Sequence, residues 1–468
     1  MRPQRQERFD AARLATRLLA LIEPIEDARI AVALSGGADS VALLAALAEL
    51  APGPPRLILR ALHVDHGLRA ALPLAAAARR AAEALGVPFT VLPVSVATDR
   101  GEGIEAAARS ARYAAFAAEL EPGECLLTAH HREDQAETLL LQLVRGAGLP
   151  GLASMPAAAR LGSGRLLRPL LDVPRAALRT YAEARGLPWH EDPMNEDARY
   201  DRAYLRGTLW PLIEARWPAA AQTLARSAAH LAAAQRQLDE ASAEYVRALA
   251  RGPTLSVAGL RALEPERRAE VLRYWLRSRG LPVPPARRLA LIEAEVLGAR
   301  RDATPALTWP GVELRRFDGR LYAFAPLPAL NVVPGTAVPA PPGALGLGAL
   351  GRIETHWRRG PATLDVTDTA GLAFDRRRGG ERIRLDPNGP ARPVKDWLRE
   401  ARVPPWARTR ALLVREGEAL VALVLPRLTL IAAARRAEPD GPGLALEWTG
   451  APAELSPLRF VEPGGPFR

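Results

Sequence analysis

The chain has 468 residues, of which 48% are hydrophobic, an ordinary globular composition long enough for two or three domains. No apolar run approaches the ~20 residues of a membrane helix, and the N-terminal sequence lacks an apolar signal core, so we expect a cytoplasmic protein with no membrane partner. A single cysteine, Cys125, excludes a disulfide framework, a cysteine-rich zinc site and cysteine-pair redox chemistry within one chain. A single lysine, Lys395, excludes a Walker-type phosphate loop and Schiff-base catalysis.

The net charge of +11 is concentrated in two segments. Residues 376–410 contain 11 basic and 4 acidic side chains, and residues 251–300 contain 10 arginines and 5 glutamates. A general preference for arginine over lysine would explain the choice of arginine, but not its local excess over acidic residues. The two segments therefore favour surfaces that contact phosphate groups, and hence a nucleic acid.

The first 200 residues alternate apolar strand patterns with helical patterns. Strands are predicted over 29–34, 56–63, 88–94 and 124–128, and helices over 39–50, 73–85, 103–120 and 133–144. Such alternation is typical of an α/β domain, in which helices cover both faces of a parallel sheet. Ligands of these sheets bind beyond the carboxyl ends of the strands, so the residues that follow each strand are candidates for a site.

Later segments differ in pattern from this first α/β domain, which we place over residues 1–215. We expect a mainly helical domain over 216–333, with a hairpin at Phe317-Asp-Gly319, then a Pro/Gly-rich linker over 334–351, a small basic α+β domain over 352–450 and a loose tail over 451–468.

The sharpest motif is Ser35-Gly-Gly-Ala-Asp-Ser40, between the first strand and its helix. Two glycines allow a tight turn that brings backbone N–H groups close to an anion, and the helix N-terminus adds its positive dipole end. Asp39 would repel a phosphate unless a cation lay between them, so a bound Mg²⁺ is implied. An ordinary glycine turn with Asp39 as the helix cap is the alternative.

Polar motifs follow two further strands. His63-Val-Asp-His-Gly-Leu-Arg69 follows the second strand, and Thr128-Ala-His-His-Arg-Glu-Asp-Gln-Ala-Glu-Thr138 follows the fourth. The histidines lack accompanying cysteines and zinc-like spacing, so they favour a nucleotide pocket over a metal cluster. Asp134 and Glu137 are three residues apart on one helix face, where they are either site carboxylates or a solvated helix start.

A third helix places Glu105, Arg109, Arg112 and Phe116 at helical spacing. Taken alone, Arg112 is either a surface arginine or a ligand of phosphate or substrate.

Together these motifs resemble known enzymes. The Ser35–Ser40 loop resembles the PP-loop of N-type ATP pyrophosphatases. With its further motifs the chain is similar to the tRNA(Ile)-lysidine synthases. These motifs follow in the order Arg145-Gly-Ala-Gly-Leu-Pro-Gly-Leu152, Arg168-Pro-Leu-Leu171 and Trp189-His-Glu-Asp-Pro-Met-Asn195. The resemblance covers about residues 29–210 strongly and 370–425 moderately, and it is weak in the helical middle.

The resemblance implies that ATP is split between its α and β phosphates and that the wobble cytidine of tRNA(Ile) with a CAU anticodon is joined to free L-lysine. It implies Mg²⁺ at Asp39 and a catalytic set of Asp39, Arg112, Asp134 and Glu137. The implied ATP-binding residues are Ser35, Gly36, Gly37, Ala38, Asp39, Ser40, His63 and His130. The implied tRNA-binding residues are Arg202, Arg206, Arg376, Arg377, Arg378, Arg392, Lys395, Arg399 and Arg408. The oligomeric state stays open, with a homodimer as one option.

The chain departs from the family pattern at two positions. Glu133 stands where the family usually has aspartate, and Ala203 stands where it commonly has asparagine. Two other functions stay open. A tRNA thiolase of the same superfamily would generally need catalytic or cluster-binding cysteines, for which Cys125 alone is a poor substitute. A nucleotide-sensing RNA-binding protein without catalysis would be distinguished by a lack of ATP–pyrophosphate exchange.

Overall fold

The computed structural model describes residues 8–22, 27–53, 56–67, 72–95, 104–191, 199–300 and 303–456. The chain divides into two compact units, residues 1–237 and 238–468. None of the helices within the described ranges combines the length and apolar character that crossing a bilayer requires.

The first unit is built on a six-stranded sheet whose strands are β1 (Ala28–Ala33), β2 (Leu57–Asp65), β3 (Phe89–Pro93), β4 (Cys125–Leu127), β5 (Ala158–Leu161) and β6 (Gly164–Leu167). Their order is β3-β2-β1-β4-β6-β5. All neighbours are parallel except β5, which runs antiparallel to β6 at one edge.

Among the residues that the structure describes, seven helices accompany this sheet: α1 (Ala11–Leu19), α2 (Ala38–Leu50), α3 (Leu72–Ala84), α4 (Ile104–Glu119), α5 (Arg132–Val144), α6 (Leu149–Leu152) and α7 (Arg175–Glu183). Ile30 and Val32 face one side of the sheet and pack with α1, α2, α3 and α7. Ala31 faces the other side and packs with Phe116 and Leu120 from α4 and its end. This alternation follows from the two-residue period of a strand, and it covers both faces of the sheet with helices.

The predicted elements of this sheet are confirmed, because each of the four strands and four helices begins and ends within two residues of its predicted bounds. Helix α2 is apolar nearly all round and is buried from Ser40 to Leu47, as expected for a helix in the core of the domain. The parallel strands β1, β2, β4 and β6 bring their carboxyl ends to one edge of the sheet, which carries the polar motifs.

After this sheet the first unit continues as a helical segment. It comprises α8 (Asp201–Tyr204), a π-helical turn (Leu205–Leu209) and α9 (Trp210–Arg216), and the 30-residue helix α10 (Ala220–Leu249) then continues beyond the unit boundary. A π-helical turn widens the helix locally and shifts the direction of the side chains that follow it.

The second unit begins with helices packed on a five-stranded antiparallel sheet. The helices are α11 (Val257–Arg261), α12 (Pro265–Ser278) and α13 (Ala286–Leu291), with a π-helical turn at Ile292–Leu297. The strands are β7 (Ala250–Arg251), β8 (Thr254–Ser256), β9 (Ala306–Trp309), β10 (Val312–Phe317) and β11 (Arg320–Phe324), in the order β7-β8-β11-β10-β9. The predicted hairpin turns at Asp318 and Gly319, both with positive φ, but the sheet around it gives the helical middle more strand than we expected.

The C-terminal part of the second unit is rich in strands. The strands are β12 (Thr336–Ala337), β13 (Gly343–Gly346), β14 (Arg352–Arg359), β15 (Leu372–Arg376), β16 (Arg382–Ile383), β17 (Arg392–Pro393), β18 (Leu412–Glu416), β19 (Ala419–Leu425), β20 (Leu428–Ile431) and β21 (Pro442–Thr449), with short helices α14 (Val394–Glu400) and α15 (Pro405–Arg408). The first sheet has the order β12-β15-β18-β19-β20, the second β13-β14-β21 and the third β16-β17.

The predicted fold class, an α/β domain followed by a helical region and a small α+β domain, is confirmed. Residues 334–351, expected to be a linker, contribute β12, β13 and a 3₁₀ turn to the C-terminal sheets. Val338 and Leu350 from this segment lie in the hydrophobic core. Proline and glycine at this density indicate irregular backbone, and they do not by themselves exclude short paired strands. Most of the expected tail, residues 457–468, lies outside the described residues.

Candidate active site

The glycine loop after β1 is held in a tight conformation by backbone and hydroxyl contacts. Gly36 has φ +89°, and a Cβ at this position would lie 2.2 Å from the carbonyl oxygen of Leu74. The Ser35 and Ser40 hydroxyls lie 3.0 Å apart, the Gly37 N–H donates to Ser35 Oγ at 3.2 Å, and Ser40 Oγ donates to the Gly37 carbonyl at 2.9 Å. The loop therefore requires glycine at position 36 and is closed by its own side chains.

Helix α2 starts directly from this loop. Its N-cap is Gly37, which offers no side chain to its first N–H groups, and Ala38 is the first helical residue. Unsatisfied N–H groups at a helix N-terminus, together with the helix dipole, form an anion-binding site. The six predicted ATP-binding residues of the loop thus lie together around one such site.

Asp39 has one oxygen engaged and one oxygen without a partner. Its Oδ2 lies 3.7 Å from His131 Nε2 and 3.7 Å from Arg175 Nε. Its Oδ1 is buried and has no hydrogen-bond partner among the described residues. Burial raises the pKa of Asp39, although His131 and Arg175 oppose this shift. A buried carboxylate oxygen beside an anion site suits a cation that bridges it to phosphate.

Within the described ranges no group of three or more His, Cys, Asp or Glu side chains could hold a metal ion by itself. Mg²⁺ commonly uses one or two protein carboxylates and takes its remaining ligands from water and substrate phosphates. The free Oδ1 of Asp39 therefore fits a magnesium ion that is held jointly by protein and nucleotide, and does not fit a metal caged by protein alone.

A pair of buried carboxylates lies on the first turns of α5. Asp134 accepts the N–H of the N-cap residue His131 at 3.0 Å through Oδ2. Arg206 bridges the pair, because its Nη2 donates to Asp134 Oδ1 at 2.7 Å and its Nε donates to Glu137 Oε1 at 2.6 Å. The second oxygen of Glu137, Oε2, is buried and lacks a partner among the described residues.

The two carboxylates differ in proton affinity. Burial acts to raise the pKa of Asp134, but the neighbouring His131, His130 and Arg206 together with the His131 N–H lower it to about 2. Burial also raises the pKa of Glu137, and here the hydrogen bond from Arg206 does not cancel the effect, so the pKa stays above its ordinary value. Asp134 is therefore a permanent negative charge, whereas Glu137 is the better proton acceptor.

Two adjacent histidines have opposite charge states. Burial disfavours the charged form of His131, but Asp134, Glu133 and Asp39 outweigh burial and raise its pKa to about 9. Burial lowers the pKa of His130 to about 3, and Arg168 and Arg109 contribute in the same direction. His130 is thus a neutral ring whose Nδ1 lies 2.8 Å from Thr128 Oγ1.

His63 and His66 lie at the carboxyl end of β2 and contact the glycine loop and Arg112. His63 is buried, and its Nδ1 lies 2.8 Å from the Leu34 carbonyl oxygen, so its ring braces the start of the glycine loop. His66 Nε2 lies 3.4 Å from Arg112 Nη2. Arg112 is therefore at the ligand edge of the sheet, beside the motif that follows β2.

Arg202 and Arg206, predicted to bind tRNA, both face α5. Arg206 bridges Asp134 and Glu137, and Arg202 donates to Thr138 Oγ1 at 2.9 Å. Arg206 is separated from the carboxylates by about seventy residues, so no local pattern could reveal the pairing. Arg175, whose guanidinium approaches Asp39, was likewise missed because helix α7 carries no motif.

Glu133, one of the two departures from the family pattern, has a well-defined role. Its Oε2 lies 3.0 Å from His131 Nδ1 and accepts the Arg175 N–H at 2.9 Å. The longer side chain thus connects the N-termini of α5 and α7. At the other departure, Ala203 is buried on α8.

The C-terminal basic residues fall into two groups. Arg376, Arg378, Lys395 and Arg399 are exposed, and the Arg378 side chain reaches 74% exposure, while Arg376 also donates to the Val332 carbonyl. The other three are partly buried against internal partners: Arg377 lies near Glu381, Arg392 pairs with Glu400 and stacks over Trp397, and Arg408 donates to the Val403 carbonyl. Arg69 and residues 192–195 of the quoted motifs lie outside the described residues, as does the side chain of Glu105.

Comparison with known families matches three models along the chain. A PP-loop domain model matches residues 11–213, a TilS substrate binding domain model matches 255–322, and a TilS substrate C-terminal domain model matches 372–448. A tRNA(Ile)-lysidine synthase from Alkalilimnicola ehrlichii is 44% identical over 399 residues, covering 84% of this chain and 88% of the relative. The chain belongs to the tRNA(Ile)-lysidine synthase family.

Two further members of the lysidine synthase family match the chain over a similar length. The relative from Ralstonia nicotianae is 45% identical over 412 residues, covering 84% of this chain and 87% of its own length. That from Coxiella burnetii is 37% identical over 400 residues, with 84% and 88% coverage. The resemblance predicted from the motifs is therefore confirmed, including its extension into the C-terminal part of the chain.

Proposed function

We propose that this chain is an ATP-dependent ligase that joins free L-lysine to the wobble cytidine of tRNA(Ile) with a CAU anticodon. The products would be lysidine, AMP and pyrophosphate, and the modified tRNA would read AUA in place of AUG. The observation that carries the proposal is the family match over all three domains, combined with an anion site and a carboxylate pair at one sheet edge. Because the substrate would be a tRNA, we propose that the reaction takes place in the cytoplasm.

ATP would bind with its pyrophosphate portion on residues 35–40. The N–H groups at the start of α2 would donate to phosphate oxygens, as would the Ser35 and Ser40 hydroxyls. Asp39 Oδ1, which lacks a partner among the described residues, would hold Mg²⁺, which neutralises phosphate charge when bound. His130 would contribute a neutral ring to the nucleotide pocket, and His63 would hold the start of the loop in place through its contact with the Leu34 carbonyl oxygen.

Adenylation would come first. The ring carbonyl oxygen of cytidine attacks the α-phosphate, a P–O bond forms, and the bond to the β-phosphate breaks as pyrophosphate leaves. Arg112 would stabilise the negative charge that builds up on the phosphoryl oxygens. Its position beside His66 at the ligand edge supports this assignment.

Lysine would attack second. A lysine ammonium must lose a proton before its nitrogen can attack, and the raised pKa of Glu137 suits that residue to accept the proton. The free amine then forms a bond to the ring carbon, and AMP leaves with the former carbonyl oxygen. Asp134, with a pKa of about 2, would hold the cationic form of lysine and is a poor base.

The tRNA would be held mainly by arginine–phosphate contacts. Arg376, Arg378, Lys395 and Arg399 are the exposed members of the predicted set in the C-terminal part of the chain. Such contacts release counterions from the nucleic acid, so binding should weaken steeply with salt.

The direct test supplies the purified protein with ATP, Mg²⁺, labelled lysine and one of two transcripts, tRNA(Ile) or elongator tRNA(Met), both with CAU anticodons. We expect label in the tRNA(Ile) transcript alone. No incorporation in either transcript, with ATP–pyrophosphate exchange intact, would mean that another nucleophile is used. No exchange at all would favour a nucleotide-sensing protein without catalysis.

A further inference from the structure

Residues 189–191, the described part of the motif that begins at Trp189, return to the glycine loop, and we call them the return segment. The His190 N–H donates to the Gly36 carbonyl oxygen at 2.9 Å. A Cβ on Gly37 would lie 3.9 Å from the His190 carbonyl oxygen. The return segment therefore contacts the glycine loop with its backbone, whereas the His190 side chain is exposed.

The peptide group between Gly36 and Gly37 is held at both of its ends. Its carbonyl accepts from the His190 N–H, and its N–H donates to Ser35 Oγ at 3.2 Å. Because the C=O and N–H of a trans peptide point in opposite directions, the two contacts together define one orientation of the group. Gly36 has φ +89°, and a glycine on each side allows such a group to rotate at little steric cost.

The reversed orientation of this peptide group would be unfavourable for binding an anion. Rotation would turn the Gly36 carbonyl oxygen toward Ser35 Oγ and the Gly37 N–H away from it. A carbonyl oxygen carries partial negative charge, so it would repel phosphate where the loop otherwise offers N–H and hydroxyl donors. The hydrogen bond from His190 is lost in the reversed orientation, so it favours the orientation that binds anions.

Helix α7 supports the return segment and fixes it relative to α2. Leu178 and Ala182 of α7 lie in the hydrophobic core that contains most of α2. The Tyr181 hydroxyl donates to Glu49 Oε2 at 2.9 Å, and Glu49 lies on α2. The return segment therefore follows a helix that is packed on the helix after the glycine loop.

Arg179 of α7 contacts the return segment at two side chains. Its guanidinium carbon lies 4.8 Å from the centroid of the Trp189 ring, and its Nη1 donates to Glu191 Oε1 at 2.9 Å. Its Nε donates to Glu183 at 3.0 Å on its own helix. Each such contact at an exposed site is weak alone, so Arg179 biases the position of the return segment without fixing it.

We propose that the His190 N–H is a positioning group for nucleotide binding, which keeps the Gly36–Gly37 peptide in the orientation that accepts phosphate, and that Arg179 acts through it. The inference rests on the proposed function only for the identity of the anion, the pyrophosphate portion of ATP. Without the His190 contact, a fraction of the protein would hold the reversed peptide. The apparent affinity falls by that fraction, whereas turnover at saturating ATP is preserved.

The first test compares His190→Pro, which removes the N–H, with His190→Ala, which retains the N–H and removes the imidazole. Calorimetry on the full-length protein measures the binding of ATP and of inorganic pyrophosphate, each with Mg²⁺. We expect His190→Pro to bind both about 5- to 10-fold more weakly, as for the loss of one hydrogen bond. His190→Ala should stay within about twofold of the parent protein, as should turnover at saturating ATP and the KM for lysine in both variants.

Arg179→Met separates the support of the return segment from the N–H itself. We expect about threefold weaker pyrophosphate binding in the single variant. In the His190→Pro background it should cause no further loss, because Arg179 acts through the group that proline has removed. Arg29→Met is the matched control, since Arg29 also pairs with a glutamate and is half-exposed, but lies at the start of β1, away from the loop at its end.

Amide hydrogen exchange gives a readout in the unsubstituted protein. Coupling between two events is reciprocal, so if the His190 contact favours anion binding, a bound anion must favour the contact by the same factor. We expect the His190 N–H to exchange more slowly when pyrophosphate and Mg²⁺ are bound. The same slowing should be seen in Arg29→Met.

Either of two results would overturn the inference. One is equal pyrophosphate affinity in His190→Pro and His190→Ala, and the other is unchanged exchange of the His190 N–H on pyrophosphate binding. If His190→Pro does not fold, unchanged pyrophosphate affinity in Arg179→Met would overturn it in the same way. A parent protein that binds pyrophosphate but forms no lysidine would contradict the proposed function and leave the comparison at His190 in force.

Discussion

Replacing Gly36 with alanine should disable ATP use far more than it unfolds the protein. The new Cβ would lie 2.2 Å from the Leu74 carbonyl oxygen, about 1.2 Å closer than the 3.4 Å at which ordinary contact begins. Neither atom belongs to a flexible side chain, so the loop itself must move by a comparable distance. A displacement of ~1 Å at a reacting group can cost about 100-fold in rate, which is the loss we expect in ATP–pyrophosphate exchange.

Gly86→Ala is the matched control for this substitution. Gly86 also has a positive φ, +64°, but a Cβ there would meet nothing within 4 Å. Both variants incur the ~1–2 kcal/mol of placing alanine in the left-handed region. Only Gly36→Ala also displaces the loop. If Gly36→Ala retained exchange within about threefold of Gly86→Ala, the assignment of this loop to ATP would be wrong.

Three further predictions concern the carboxylates, the core and the basic surface. Glu137→Gln should raise the KM for lysine and lower turnover, while leaving ATP–pyrophosphate exchange intact; full turnover at saturating lysine in both this variant and Asp134→Asn would remove the carboxylates from the mechanism. Arg60→Met should destabilise the first unit by about 3–5 kcal/mol, because it strands the buried Glu124 carboxylate, which Arg60 Nη2 contacts at 2.7 Å. Burial opposes the charged form of Glu124, but Arg60 holds the pKa of this carboxyl below its ordinary value. The stabilisation by the ion pair is therefore present above the unfolded-state pKa of Glu124 and is lost as the pH falls through its folded-state pKa. Urea melts of the parent protein and Glu124→Gln between pH 7 and 3 should therefore converge at low pH, and parallel curves would contradict the shift. Replacing Arg378 and Arg399 with alanine should reduce the salt slope of tRNA binding by about 1 per lost phosphate contact, and an unchanged slope would exclude this surface.

Local sequence predicted the first domain well because its signals are local. Buried strands such as β1 are apolar runs, and the Ser35–Ser40 loop combines turn and helix-start chemistry within six residues. The same holds for the hairpin at Asp318, where the turn residues are adjacent in sequence. These features depend on neighbours along the chain, so they can be read without the fold.

The contacts that complete the candidate site depend on the fold. Arg206, which we predict to contact RNA, lies in a π-helical turn and bridges Asp134 and Glu137, and no local pattern in the sequence indicates that contact. The sheet that contains β7 and β8 was not predicted, because strands of two or three residues are too short to show the alternation of apolar and polar residues. Charge balance among distant residues sets the pKa of His131, and no spacing in the sequence encodes that balance.

The hydrogen bonds between Ser35, Gly37 and Ser40 have a consequence for the energetics of nucleotide binding. Ordering the backbone of one residue costs roughly 1–2 kcal/mol of conformational entropy, and for this loop that cost is met during folding. Nucleotide would therefore meet a preformed cradle, with little change in heat capacity beyond that of its own burial. Mutations that loosen the cradle should appear first as slower, more temperature-sensitive association with nucleotide, because the loop would then have to be ordered at each encounter.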